Sequence, residues 1–126
     1  MGAADIVTTV IGRRIALPAA VLARYPELER VRWRRGGLPV NVAGWFLGQR
    51  SAAAITLWGT VFLAPSVLLE AELLLHEFRH VQQFEASVAF PLRYLWESAT
   101  RGYFANRYEV DAREYAARRV NRRDRD

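Results

Sequence analysis

The chain has 126 residues, 52% of them hydrophobic, a balance that suits a single globular domain over residues 1–126 and excludes a disordered protein. It contains no cysteine, so disulfides and thiolate metal sites are excluded, and any metal must be held by nitrogen and oxygen. The net charge of +5 comes from eighteen arginines without a lysine, half of them in two clusters, Arg30, Arg32, Arg34 and Arg35 and a second of Arg118, Arg119, Arg122, Arg123 and Arg125; charge split in this way argues against a nucleic-acid partner.

In chain order, Arg13-Arg14 ahead of the apolar run Ile15 to Ala23 has the outline of a twin-arginine export leader. Pro18 interrupts that run and no small-residue cleavage site follows, so a cytoplasmic location is expected. Pro18 instead suits the first turn of a short helix ending at Ala23 or Arg24, closed by Pro26. Val31 to Arg35 alternates apolar and charged residues, which predicts a strand with Val31 and Trp33 buried and Gly36-Gly37 at its end. Leu38 to Leu47 reads as a short helix or turn with Trp45 and Phe46 packed inward.

Ser51 to Leu69 is almost free of charge and long enough to raise the question of a membrane span. Gly59 and Pro65 interrupt it, and the β-branched and aromatic pieces Ile55 to Trp58 and Thr60 to Leu63 read as strand, turn and strand, which argues against a membrane. Further on, Phe90-Pro91 predicts a break, followed by a helix from Leu92 to about Arg101 with Leu95 and Trp96 inward, and Gly102 stops it. Asn106 is the expected N-cap of a last helix running to about Val120, with residues from about 118 to 126 read as a flexible arginine-rich tail. Four tryptophans in so short a chain suggest a homo-oligomer interface.

The chemistry is concentrated in Leu73 to Phe84, LLLHEFRHVQQF, which contains the H-E-x-x-H sequence and both histidines of the protein. On a helix, residues four apart share a face, so His76 and His80 can present their imidazoles to one metal ion, and Glu77 lies about 100° round, close enough to act on a water there. The leucines, Phe78, Val81 and Phe84 mark the helix as buried on more than one side, where unpartnered histidines are costly. The bland reading is a pair of hydrogen-bonded core histidines.

A third protein ligand must be an aspartate or glutamate, and Glu109, Asp111 and Glu114 are the candidates on the last helix. Glu109 shares a stripe with Ala112, Ala116 and Val120, small residues that let two helices approach closely, so its carboxylate is expected inward. Asp111 lies about 200° away and is the reserve ligand, and Glu114 reads as a solvent-facing ion-pair partner. Against the ligand reading, Asn106-x-x-Glu109 has the spacing of a capping box, in which Glu109 would only close the helix start.

With these residues the chain resembles the gluzincin metallopeptidases, in which H-E-x-x-H on one helix is completed by a glutamate on a later one. The resemblance covers Thr60 to Pro65, LLLHEFRHVQQF and Asn106 to Ala112, roughly the C-terminal half. It is similar to small bacterial domains with H-E-L-x-H-V-x-Q followed by N-P-F-E-x-E-A, and more distantly to HtpX-like and CAAX-processing peptidases. The resemblance implies an α+β, minimal zincin-like domain: a small, mainly antiparallel sheet or hairpin packed on the H-E-x-x-H helix, and a C-terminal helix carrying the glutamate. It also implies His76, His80 and Glu109 as ligands of one divalent ion and Glu77 as the base. Two departures bear on the transfer of roles: Arg107 replaces a proline, and Arg113 stands where many distant relatives keep an aspartate that orients a ligand.

The expected function is metal-dependent, endopeptidase-type hydrolysis of a peptide or protein substrate. Zinc suits the donors best, and manganese or iron also fits. Tyr103 or Tyr108 is the candidate donor to the oxyanion, and the strand Thr60 to Leu63 is a candidate edge for pairing with an extended peptide. The rival readings are a non-catalytic metal-binding interaction domain, an arginine-rich nucleic-acid binder with structural histidines, and an intramembrane peptidase spanning at Ser51 to Leu69.

Overall fold

The computed structural model describes residues 2–37, 39 and 53–125, and the expectation for Leu38 to Leu47 lies outside them. The fold is α+β, and its contacts group into two compact units, residues 1–69 and 70–126.

In the first unit, helix α1 (Ala3–Ile11) leads through Gly12 into strand β1 (Arg13–Arg14), so the arginine pair belongs to a sheet. Helix α2 (Ala19–Arg24) starts immediately after Pro18, as expected, but Pro26 opens a 3-10 turn (Pro26–Arg30). Strands β2 (Arg32–Arg35), β3 (Ala54–Leu57) and β4 (Thr60–Leu63) complete a four-stranded sheet of order β1-β2-β4-β3. Val31 and Trp33 are buried as the alternation predicts, and the Trp33 indole donates to the Leu28 carbonyl at 2.9 Å. β3 and β4 form the expected hairpin, with Leu57 opposite Thr60 across the Trp58-Gly59 turn.

The sheet is mixed rather than mainly antiparallel: β1–β2 and β3–β4 are antiparallel, but β2 and β4 run parallel. That pairing puts β4 in the interior, hydrogen-bonded on both sides, which removes Thr60 to Leu63 as an edge for strand addition. Val61 and Leu63 are accordingly buried with Trp33. The chain leaves β2 through Gly36 and Gly37, both at positive φ. A Cβ on Gly37 would lie 2.9 Å from the backbone nitrogen of Gly12, and one on Gly12 would lie 2.4 Å from the carbonyl oxygen of Arg35, so the end of α1 and the end of β2 cross where no methyl fits. The Arg35 guanidinium then gathers the carbonyls of Ala64, Pro65 and Val67 at 2.9–3.2 Å, fixing the turn after β4.

The second unit consists of α3 (Ala71–Ala86), α4 (Phe90–Arg101) and α5 (Arg107–Arg125). α3 packs chiefly on α5, and Leu74, Phe78 and Val81 of α3 and the small residues Ala112 and Ala116 of α5 are all buried. Three details correct the sequence reading. Phe90-Pro91 does not break the chain but begins α4, where a proline is accommodated because its missing N–H has no helical partner in the first turn. Leu95 and Trp96 are 63% and 68% exposed, because the inward stripe of α4 is Phe90, Tyr94 and Glu97, placing Leu95 and Trp96 on the opposite side. The last helix extends to Arg125, past the expected end near Val120.

Candidate metal centre

α3 is a regular helix over Ala71–Ala86, so His76 and His80 stand one turn apart with their rings 4.9 Å apart, edge to face. Asn106 caps α5 as expected: its Oδ1 accepts the Tyr108 N–H at 2.9 Å. Its Nδ2 donates to the Tyr94 carbonyl and to Ser98 Oγ, tying the start of α5 to α4. With the helix start fixed, Glu109 falls on the inward stripe and its Oε1 lies 2.9 Å from His76 Nε2 and 3.1 Å from His80 Nε2. One ligand atom from each of these three residues lies within 4.8 Å of the other two, a spacing at which one metal ion can be held.

The capping-box alternative for Glu109 is answered by the same contacts. The Asn106 N–H bonds to the Tyr103 carbonyl, and the Glu109 carboxylate is taken up by the two histidines and by Tyr94, whose hydroxyl donates to Oε2 at 2.5 Å. The His76 and His80 contacts hold the Glu109 carboxyl well below the usual carboxylate range against the opposing effect of burial. Burial works against a charged His80 ring, but its hydrogen bond to Glu109 and the negative charges of Glu77 and Glu109 push its pKa up to about 9.

Asp111 is not in this cluster, which corrects its place as reserve ligand. It faces Arg79 Nε at 2.8 Å and accepts from Gln83 Nε2 at 2.9 Å. That contact settles the orientation of the Gln83 amide, because Nε2 meets two acceptors, the Asp111 carboxylate and the Tyr108 carbonyl, leaving Oε1 to face His80 Nδ1 at 2.7 Å. An amide oxygen there requires a proton on Nδ1, and the neutral ring then carries its lone pair on Nε2, aimed at Glu109. A lone pair and a carboxylate facing each other in a buried place need positive charge between them, which a proton or a metal ion supplies. The donor set therefore fits a divalent cation: two imidazole nitrogens, a carboxylate oxygen and an outer support for one of the rings.

Glu77 is buried, and its charge acts on His80, Tyr94 and Tyr103, so it borders the same pocket of charge. The two tyrosine candidates separate. Tyr103 has its phenol pushed up by burial and by the Glu109 and Glu77 carboxylates. Tyr108 packs its ring edge-on against Phe90 at 4.9 Å, and its backbone carbonyl accepts from Gln83 Nε2 at 3.0 Å. Glu114 pairs with Arg118 on the exposed side, as expected.

Arg107 and Arg113, singled out in the sequence, both have partners. The Arg107 N–H is taken by Glu97 Oε1 at 3.1 Å, and the buried Glu97 also faces the guanidinium groups of Arg101 and Arg107. Arg113 reaches the Phe104 carbonyl and ring, and His80 is hydrogen-bonded to Gln83, which in turn bonds to Asp111. Tyr94, Gln83 and Glu97 were given no role from sequence; Gln83 alone carried a signal, as the glutamine of H-E-L-x-H-V-x-Q three residues after His80 on the same helix face. Comparisons with protein-family models, curated proteins and solved structures return no match to the chain.

Proposed function

We propose that the protein is a metal-dependent peptidase in which His76, His80 and Glu109 hold one divalent ion and Glu77 is the general base. The observation that carries this reading is the convergence of His76 Nε2, His80 Nε2 and Glu109 Oε1, with the His80 tautomer dictated by Gln83. A divalent cation between the two imidazole nitrogens and Glu109 would balance the negative charges of Glu109 and Glu77 without a further protein group. Zinc suits two nitrogens and one oxygen, and manganese or iron is an alternative for the same donors.

When bound, the ion supplies Lewis-acid chemistry, lowering the pKa of a water and polarising the scissile carbonyl. Glu77 takes the proton of the attacking water onto a carboxylate oxygen and passes it to the departing amine. Gln83 keeps the His80 proton on Nδ1, and Tyr94 occupies Oε2 of Glu109 so that Oε1 stays directed at the histidines. Tyr103, whose phenol keeps its proton at neutral pH, is the donor to the developing oxyanion.

The test measures bound metal and cleavage of a peptide library for the unmodified protein, Glu77→Gln and Glu109→Ala. The expected result is one ion and cleavage for the unmodified chain, one ion without cleavage for Glu77→Gln, and loss of the ion for Glu109→Ala. Stoichiometric metal with no cleavage of any peptide would leave a metal-binding interaction domain. Failure to retain or reload metal would end both readings.

A further inference from the structure

We propose that residues 1–69 carry a docking surface for an anionic lipid bilayer, made of the exposed apolar face of α1 and the arginines of the β1–β2 ladder at the end of that helix. Ile6, Val7, Val10 and Ile11 are between 40% and 52% exposed. At 3.6 residues per turn they fall on an arc of about 140°, one face of the helix. An apolar face of this kind left in water is the usual mark of a binding surface.

Beside it, the β1–β2 register sets Arg13 opposite Arg35 and Arg14 opposite Arg34, and the two-residue period of the strand puts Arg32 on the same face as Arg34. Like charges directly opposite each other in a sheet are unfavourable without a counter-charge. The partners of β2 on its other side are Thr60 to Leu63, none of them acidic. Arg34 and Arg35 already spend donors on carbonyls, while Arg14 and Arg32 are exposed. Arg34 joins the two features: its Nε donates to the Ile11 carbonyl at 2.6 Å and its Nη2 to the Gly12 carbonyl at 3.2 Å, which pins the C-terminal end of α1 to the ladder.

A bilayer with anionic headgroups answers both features at once, since it takes the isoleucines and valines into the headgroup–acyl boundary and the arginines against phosphate. Nucleic acid would meet the arginines and leave the apolar face wet. A second copy docking through α1 would bring two arginine ladders together. The contact is peripheral, because α1 has nine residues and a spanning helix needs about 20. Among the described residues, no helix is long and apolar enough to cross a membrane.

The experiment is co-sedimentation of the full chain with vesicles of phosphatidylcholine alone and of phosphatidylcholine with phosphatidylglycerol, two parts to one, at low and raised salt. The unmodified protein is expected to pellet with the anionic vesicles only. The Arg14→Thr/Arg32→Thr pair should weaken that binding by about fivefold per charge removed. The Val7→Gln/Val10→Gln pair should weaken it by about tenfold per valine, with circular dichroism unchanged because the altered side chains are exposed. Failure of the unmodified protein to pellet at low salt overturns the proposal. So does undiminished binding by the valine pair, or tighter binding to single-stranded DNA that the valine pair retains, either of which reduces the surface to a general polyanion patch. Self-association abolished by the valine pair, without vesicle binding, overturns it in favour of a second copy.

Discussion

Residues 70–126 and residues 1–69 each gather charge, and they handle it in opposite ways. In the second unit Glu109, Glu97, Glu77 and His80 are buried, and among the described residues no buried side-chain nitrogen or oxygen lacks a hydrogen-bond partner. In the first unit four arginines face one another across β1 and β2, where water and salt screen them. The lesson is one of dielectric environment: an unpartnered charge costs several kcal/mol when buried, so the site is over-determined, whereas exposed like charges cost tenths and need no fixed counter-charge.

That contrast can be broken or sharpened by substitution. The largest effect is expected at Glu77→Gln, which should lower peptide cleavage by about 10²–10⁴ while leaving bound metal at the level of the unmodified protein; cleavage within threefold of normal would remove Glu77 from the mechanism. Gln83→Leu leaves the three ligand atoms in place but frees the His80 tautomer, so zinc affinity measured by competition with a chelator should fall about 10–100-fold. An unchanged affinity would mean that the His80 ring is oriented by something other than Gln83. Trp96→Ser alters a large apolar residue outside the core, so chemical denaturation should place its stability within about 0.5 kcal/mol of the unmodified protein, where a buried tryptophan would cost several. Smallest of all, Arg14→Thr removes one cross-strand repulsion and should raise stability by a few tenths of a kcal/mol; a loss above about 1 kcal/mol would show that the ladder is held by a counter-charge.

Much of the candidate site was legible because it depends on local periodicity. His76 and His80 at i and i+4, Asn106 as cap and Glu109 in phase with Ala112 and Ala116 all follow from 3.6 residues per turn once the helix starts are placed. The hairpin around Trp58-Gly59 was equally local. The misjudged features depend on partners distant in sequence. β1 has two residues and exists because β2, some twenty positions later, offers an edge. The parallel β2–β4 pairing has no sequence signature, yet it decides that β4 is an interior strand. Leu95 and Trp96 were placed inward on hydrophobicity alone, but the orientation of α4 is set by what it must deliver, Tyr94 to Glu109 and Glu97 to the first N–H of α5. Ordinary tyrosines and glutamines become legible as supports only when their neighbours are known.

The contacts of Asn106 also bear on how the chain tolerates insertion and deletion. The start of α5 is set at Asn106 mainly by bonds to α4, and the segment from Gly102 to Ala105 adds the Tyr103 and Phe104 carbonyls as lesser contacts. Residues added there would loop out and leave the Glu109 carboxylate aimed as before. A single residue deleted between Asn106 and Glu109 would turn that carboxylate by about 100° and carry it off the histidines. Two edits of similar size, a few positions apart, would therefore separate a spacer from a ruler.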